Sequence, residues 1–201
     1  MKRGEVTGLI LAGGLGRRMG GLDKGLQRLR GRAMIEWVIE RLGPQVGALL
    51  VNANQNLDAY RAFGFPVISD EIGGRAGPLA GLHAGLRRCE TDWLATSPCD
   101  SPFLPEDLVE RLGAGAAGAR AQLAVARTGS RTHPVFVLCR RDVLASLERY
   151  LGEGGRKIDA WYAGLRVAEV AFDDEAAAFA NINTHDELLA ADAPGVREAG
   201  T

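Results

Sequence analysis

The chain has 201 residues, enough for one domain with a sizeable core. Apolar residues make up 46% and charged residues 24%, and a formal net charge of -1 gives no reason to expect a nucleic-acid or membrane partner. Cys89, Cys99 and Cys139 form no C-x-x-C pair, glycine cuts the first apolar run too early for a signal sequence, and no later run approaches a membrane span, so the expected compartment is the reducing cytoplasm.

In chain order, residues 6–11 read as a buried strand that runs into a glycine-rich loop. Met34, Trp37, Val38, Arg41 and Leu42 fall at helical spacing, which predicts a helix over 33–42, ended by Gly43-Pro44. Residues 48–51 predict a second strand ending at Asn52, residues 57–63 a short helix, and residues 66–68 a short strand ending near Asp70. Leu79, Leu82 and Leu86 form one stripe of a helix over 77–88. A strand over 92–96 leads into Ser97-Pro98-Cys99-Asp100-Ser101-Pro102, and a helix over 105–112 carries Pro105 in its first turn.

Residues 113–118 read as a Gly/Ala-rich connection, and residues 122–127 and 133–138 as strands around a turn at 128–131. Helices follow over 142–150 and 157–162, then a strand over 167–172. Thr184 caps a last helix through 189, with Glu187 three residues on to complete a capping box. The alternation predicts an α/β fold, a mostly parallel sheet with helices on both faces. No repeat or domain boundary interrupts it, so one domain is expected over 1–191 with a frayed tail over 192–201.

The segment from Leu11 through Gly13, Gly14, Arg17, Arg18, Gly20 and Gly21 to Lys24 combines glycines with cations. Glycine lets backbone N–H groups approach an anion closely, and Arg and Lys neutralise it. The loop is not a dinucleotide fingerprint, because Met19 stands where the third glycine is needed. Nor is it a P-loop, since Lys24 is preceded by Asp23 and followed by Gly25. The alternative is a glycine turn with surface arginines. Asn52 and Asp100 also follow the carboxyl ends of candidate strands, the edge where open α/β sheets bind ligands.

Two prolines stiffen the loop around Asp100. A fixed carboxylate beside a polyphosphate site suits Mg²⁺, which favours one or two carboxylates plus phosphate oxygens and water. The competing role for Asp100 is an Asx turn. Cys99 has no evident base to activate it and is read as a packing residue. His83 is read as packing or surface, His185 as lying beside the last helix cap, and His133 as either structural or a ligand contact. Arg156-Lys157, after a glycine turn, offers a second anion site or a solvated helix start. Asn181-Ile182-Asn183 either returns an amide to the crevice or forms a capping turn.

Together these residues resemble the molybdenum cofactor guanylyltransferase family of the MobA type. The resemblance rests on Leu11-Ala12-Gly13-Gly14, Arg18-Met19-Gly20-Gly21, Asp23-Lys24-Gly25-Leu26 and Val51-Asn52-Ala53-Asn54. It continues through Gly77-Pro78-Leu79-Ala80-Gly81, Pro98-Cys99-Asp100-Ser101-Pro102, His133-Pro134 and Asn181-Ile182-Asn183-Thr184. The first motif with its distal lysine is common to many nucleotidyltransferases, whereas Asp-Lys-Gly-Leu with Pro-Cys-Asp and Asn-Ile-Asn is more specific.

The resemblance implies a Rossmann-like nucleotidyltransferase fold and Mg²⁺-dependent transfer of GMP from GTP to the phosphate of Mo-molybdopterin, with release of pyrophosphate. It places Leu11, Ala12, Gly13, Lys24, Asn52, Asp70 and Asp100 in the GTP site, with Gly14 in the same loop and Asp100 as the Mg²⁺ ligand. Lys24 and Arg18 are expected to stabilise phosphate charge, because such a transfer needs positioning and neutralisation more than a protein nucleophile. Asp70 is expected to accept the guanine N–H pair. Transient partners in molybdoenzyme maturation are implied by the family alone. The rival readings are a cytidylyltransferase acting on the same pterin, a sugar or polyol nucleotidyltransferase, and a molybdopterin carrier without catalysis. The second half matches the family less tightly, which leaves the pterin site open.

Overall fold

A computed structural model describes residues 1–14, 23–73 and 77–192. Along the chain, β1 (Val6–Leu11) is followed by a small hairpin of β2 (Arg28–Leu29) and β3 (Arg32–Ala33), then α1 (Met34–Leu42) and β4 (Ala48–Asn52). Next come α2 (Leu57–Arg61), β5 (Val67–Ile68), α3 (Pro78–Arg88), β6 (Trp93–Pro98) and α4 (Leu108–Gly118). The remaining described elements are β7 (Leu123–Thr128), β8 (Arg131–Arg140), α5 (Leu144–Gly152), α6 (Ile158–Tyr162), β9 (Val167–Ala171) and α7 (His185–Asp192), with short 3₁₀ turns between several of them.

Seven strands form one sheet in the order β5-β4-β1-β6-β8-β7-β9. β1 pairs in parallel with β4 and β6, β4 with β5, and β7 with β9. β8 is antiparallel to both β6 and β7, so it alone runs against the rest. The sheet is the mostly parallel one that the alternation predicts. β1 is buried up to its half-buried last residue, as a strand covered on both faces must be, which explains its near-continuous apolar run.

Successive strand side chains point to opposite faces, so Leu9 and Ile10 enter different cores. Ile10 packs with Ile35, Val38 and Leu42 of α1 and with Leu108 and Leu112 of α4. Leu9 packs with Leu79, Leu82 and Leu86 of α3, Leu147 of α5 and Trp161 of α6. Helices therefore cover both faces, as expected. α3 is buried continuously from Leu79 to Leu86 and lies close on the sheet. A Cβ on Gly81 would come within 2.5 Å of Asn52 Oδ1 and 2.7 Å of Leu11 Cδ2, so glycine is what lets the helix sit there.

Register carries the sheet into function. Leu11 is level with Asn52 on one side and Pro98 on the other, and Asn52 is level with Ile68. Four parallel strands thus end in one row, and the residues after them emerge together along one edge.

Several boundaries differ from expectation. α4 starts at Leu108 rather than 105 and runs through 113–118, the stretch that reads as a connection. Glycine costs about 1 kcal/mol in a helix interior relative to alanine, but burial of Leu112, Gly113 and Ala116 outweighs it, and the bare face at Gly115 receives Val170 of β9. The β2–β3 hairpin escapes the apolar pattern because arginines fill it; its two turn residues, Arg30 and Gly31, have φ of 52° and 79°. β8 spans ten residues and joins β7 through the two-residue turn Gly129-Ser130, with a register shift between Val125 and Ala126. The capping box forms as expected: Glu187 N donates to Thr184 Oγ1 at 3.2 Å, and Thr184 N donates to Glu187 Oε2 at 3.0 Å. α7 reaches Asp192, and the rest of the expected tail lies outside the described residues. Among the described residues, no helix is long and apolar enough to cross a membrane.

Candidate functional site

The row of strand ends opens on a cavity of about 840 Å³. Leu11, Ala12, Gly13, Gly14, Lys24, Asn52, Asp70 and Asp100 all line it. The structure therefore brings together every residue expected in the GTP and Mg²⁺ site except Arg18, which lies outside the described residues. Shared register explains the convergence: Ala12 follows β1, Asn52 ends β4, Asp70 follows β5 and Asp100 follows β6. Ala12 N donates to Asn52 O at 2.8 Å and Cys99 N to Leu11 O at 3.1 Å, which extends the parallel pairing just past the strand ends.

One side of the cavity is an amide–carboxylate cluster. Asn52 Nδ2 donates to Asp70 Oδ1 at 2.9 Å, and Asn54 Nδ2 donates to Asp70 Oδ2 at 2.8 Å. Asp70 N in turn donates to Asn54 Oδ1 at 2.9 Å, which locks the Asn54 side chain. Each Asp70 oxygen keeps a further acceptor site after these bonds.

The other side holds Lys24. Its Nζ donates to Asp100 Oδ2 at 2.9 Å and to Asn183 Oδ1 at 2.5 Å. Ser101 Oγ meets Asn181 Oδ1 at 2.7 Å, and Ile182 N donates to Asp100 O at 2.8 Å. The segment 181–183 is thereby fastened to the Asp100 loop, and the Asn-Ile-Asn motif does return an amide to the crevice.

Asp100 is only 7% exposed, and its Oδ1 is buried with no hydrogen-bond partner among the described residues. An unmade bond on a buried carboxylate is costly, and a cation is its natural remedy. Asp100 therefore makes no Asx turn through that oxygen, and the residues fit a Mg²⁺ ion that takes one protein carboxylate and completes its shell with phosphate and water. Among the described residues no group of three or more His, Cys, Asp or Glu is placed to cage a metal.

Cys99 lines the cavity, yet burial raises its thiol far above the ordinary range, and the charges of Asp100 and Asp23 raise it further. It stays a thiol and packs in the core, as expected. All three cysteines are free and buried.

Other candidates fall elsewhere. Arg156 lies off the cavity and donates to the carbonyls of Leu151 (3.0 Å) and Gly155 (2.6 Å), so the sequence's second anion site is not joined to this one. His83 is buried on α3 with Nε2 3.4 Å from Glu148 Oε1. His133 bonds Thr128 Oγ1 at 2.8 Å and stacks on Phe179 with centroids 4.7 Å apart, a structural role. Conversely, Asn54, Asp23 and Val135 line the cavity without having been assigned to it. Asn54, two residues past a strand-end Asn52, carried a usable signal; Val135, inside a strand, carried none.

Residues 8–168 match the family model described as the MobA-like NTP transferase domain. A molybdenum cofactor guanylyltransferase of Cupriavidus taiwanensis is 57% identical over 196 residues, covering 95% of this chain and 98% of the relative. One of Acidovorax ebreus is 50% identical over 206 residues, covering 96% and 98%. The solved molybdopterin-guanine dinucleotide biosynthesis protein A of Archaeoglobus fulgidus superposes with a TM-score of 0.74 at 27% identity, covering 92% of this chain and 96% of its own. A 4-diphosphocytidyl-2C-methyl-D-erythritol synthase of Anaerococcus prevotii gives the same TM-score at 12% identity, covering 94% and 95%, a likeness of fold alone.

Proposed function

The chain belongs to the MobA-like NTP transferase family and is a nucleotidyltransferase, and on that premise we propose that it transfers GMP from GTP to the phosphate of Mo-molybdopterin in the cytoplasm. The observation that carries this reading is the meeting of Lys24 with a half-satisfied, buried Asp100 in the cavity that also holds Asn52 and Asp70.

The acceptor's phosphate attacks the α-phosphorus of GTP in line, the α–β bridging bond breaks, and pyrophosphate leaves with that electron pair. The chain supplies position and charge for this step. Lys24 has three N–H donors, and Asp100 and Asn183 take two, leaving the third for a phosphate oxygen. Asp100 Oδ1 would hold Mg²⁺, which when bound neutralises phosphate charge and polarises the reacting phosphorus. Asp100 and Asn183 keep the Lys24 ammonium fixed before substrate arrives, so little reorganisation is left for the transition state. Gly13 and Gly14 line the same space, where backbone N–H groups would suit the phosphates.

Asp70 is the base-reading residue in this account. Asn52 and Asn54 aim its two oxygens, whose remaining acceptor sites suit the adjacent N–H donors of guanine, a pair that adenine lacks. With Mo-molybdopterin and Mg²⁺ present, pyrophosphate release is expected to be fastest from GTP among GTP, CTP and ATP. Faster release from CTP would replace the guanylyl reading with a cytidylyl one. Asp70→Asn is expected to narrow the GTP over ATP ratio in kcat/KM by at least about tenfold; an unchanged ratio would remove Asp70 from base reading.

A further inference from the structure

Tyr60 does not line the cavity, yet it touches the chain on both sides of Lys24. It sits on α2, fully buried, and its phenol donates to Asp23 Oδ1. Asn56, the residue before α2, donates from Nδ2 to the other oxygen, Asp23 Oδ2, at 3.0 Å. Asn56 adopts φ 52° and makes no cap bond to its own helix, so its side chain is committed to Asp23 instead. Asp23 itself is 7% exposed.

On the far side of Lys24 the contact is steric. A Cβ on Gly25 would lie 2.6 Å from the Tyr60 hydroxyl and 3.2 Å from Cys99 Sγ. The backbone therefore passes flush against Tyr60 at Gly25 and is tied to it at Asp23. Burial chiefly raises the Tyr60 phenol far above its ordinary range, and the bond to Asp23 and the Asp23 charge act the same way, so it remains a donor.

We propose that Asp23, Asn56 and Tyr60 form a clamp that positions Lys24, an inference that rests on the reading of Lys24 as the phosphate-binding lysine. The clamp has two consequences. It fixes the backbone from which the Lys24 side chain reaches Asp100 and Asn183. It also commits both oxygens of the Asp23 carboxylate, at the edge of a cavity suited to phosphates, to Tyr60 and Asn56, so the anion is held in place rather than left loose beside the substrate. Tyr60 and Asn56 are thus positioning residues that act through Lys24. Because α2 follows the Asn52–Asn54 segment, the same clamp ties the base-proximal side of the site to the phosphate side.

The chain has three lysines, Lys2, Lys24 and Lys157, so lysine-selective isotope labelling gives a readable spectrum without nucleotide. In Tyr60→Phe, which keeps the ring, the side-chain signal of Lys24 is expected to move while those of Lys2 and Lys157 stay. An unmoved Lys24 signal would overturn the clamp whatever the protein's reaction. In single turnover with GTP, Mg²⁺ and Mo-molybdopterin, Tyr60→Phe is expected to lower the rate about tenfold, and to lower it no further in the Lys24→Ala background. Equal losses in both backgrounds would show a general structural effect and overturn the inference. A moved Lys24 signal with full activity in Lys24→Ala would instead keep the clamp and overturn the assignment of Lys24 to phosphate. Asn56→Gly, which suits the positive φ, serves as a second variant if Tyr60→Phe does not fold, with the same expected and overturning results.

Discussion

In the β5-β4-β1-β6 half of the sheet every strand runs the same way, and each strand end opens on the cavity. In the β8-β7-β9 half one strand runs backwards, and Val135 is the one cavity-lining residue those strands supply among the described residues. A row of level parallel strand ends delivers loops side by side, so polar residues far apart in sequence meet without a dedicated scaffold for each. The second half buries apolar surface and then sends one segment, 181–183, back across to Asp100 and Lys24.

The sharpest way to break this comparison is to remove charge from the first half. Lys24→Ala and Asp100→Ala are each expected to lower the single-turnover rate on the order of 10²–10³-fold at saturating GTP and Mg²⁺. Near-normal rates would contradict both assignments. Leu147, fully buried on α5 beside the second half, gives the opposite pattern. Leu147→Ala is expected to cost about 2–5 kcal/mol of unfolding free energy, read from denaturant melts, with kcat of the folded enzyme little changed. A large loss of kcat at unchanged stability would erase the division of labour.

The smallest effect concerns His133. Burial chiefly, and the Arg131 charge secondarily, hold its pKa below the ordinary 6.5. The unfolded chain therefore takes a proton that the folded one resists. The stability this difference supplies is intact above about pH 6.5 and is lost as pH falls toward the lower folded value. His133→Phe keeps an aromatic ring against Phe179, and its melting temperature is expected to fall less steeply between neutral and mildly acid pH, by about 2 °C. Identical slopes would contradict the shift.

The same two halves differ in how legible they were. Leu9-Ile10-Leu11 and Leu49-Leu50-Val51 announce parallel strands because both faces are covered, and glycine or asparagine marks where each ends. The glycine loop that ends at Lys24, Asn52 and Asp100 could therefore be placed on one edge from their positions, and the family resemblance added Asp70. Residues 113–118 could not be recognised as helix, since only burial against the sheet, including the Val170 contact at Gly115, offsets the glycines there. The motif at 181–183 could be offered to the crevice from sequence, but not its partner, because the Asn183–Lys24 contact joins residues 159 positions apart. The apolar ring of Tyr60 reads as core, and its hydroxyl acquires meaning only once Asp23 is seen beside it.

The most direct measurement follows label from GTP into product. With Mo-molybdopterin and Mg²⁺, label at the α-phosphate of GTP is expected in a pterin guanine dinucleotide, while label at the γ-phosphate leaves as pyrophosphate. Transfer of the γ-label to the pterin, or retention of the α-label in free nucleotide, would contradict nucleotidyl transfer at the Lys24–Asp100 site.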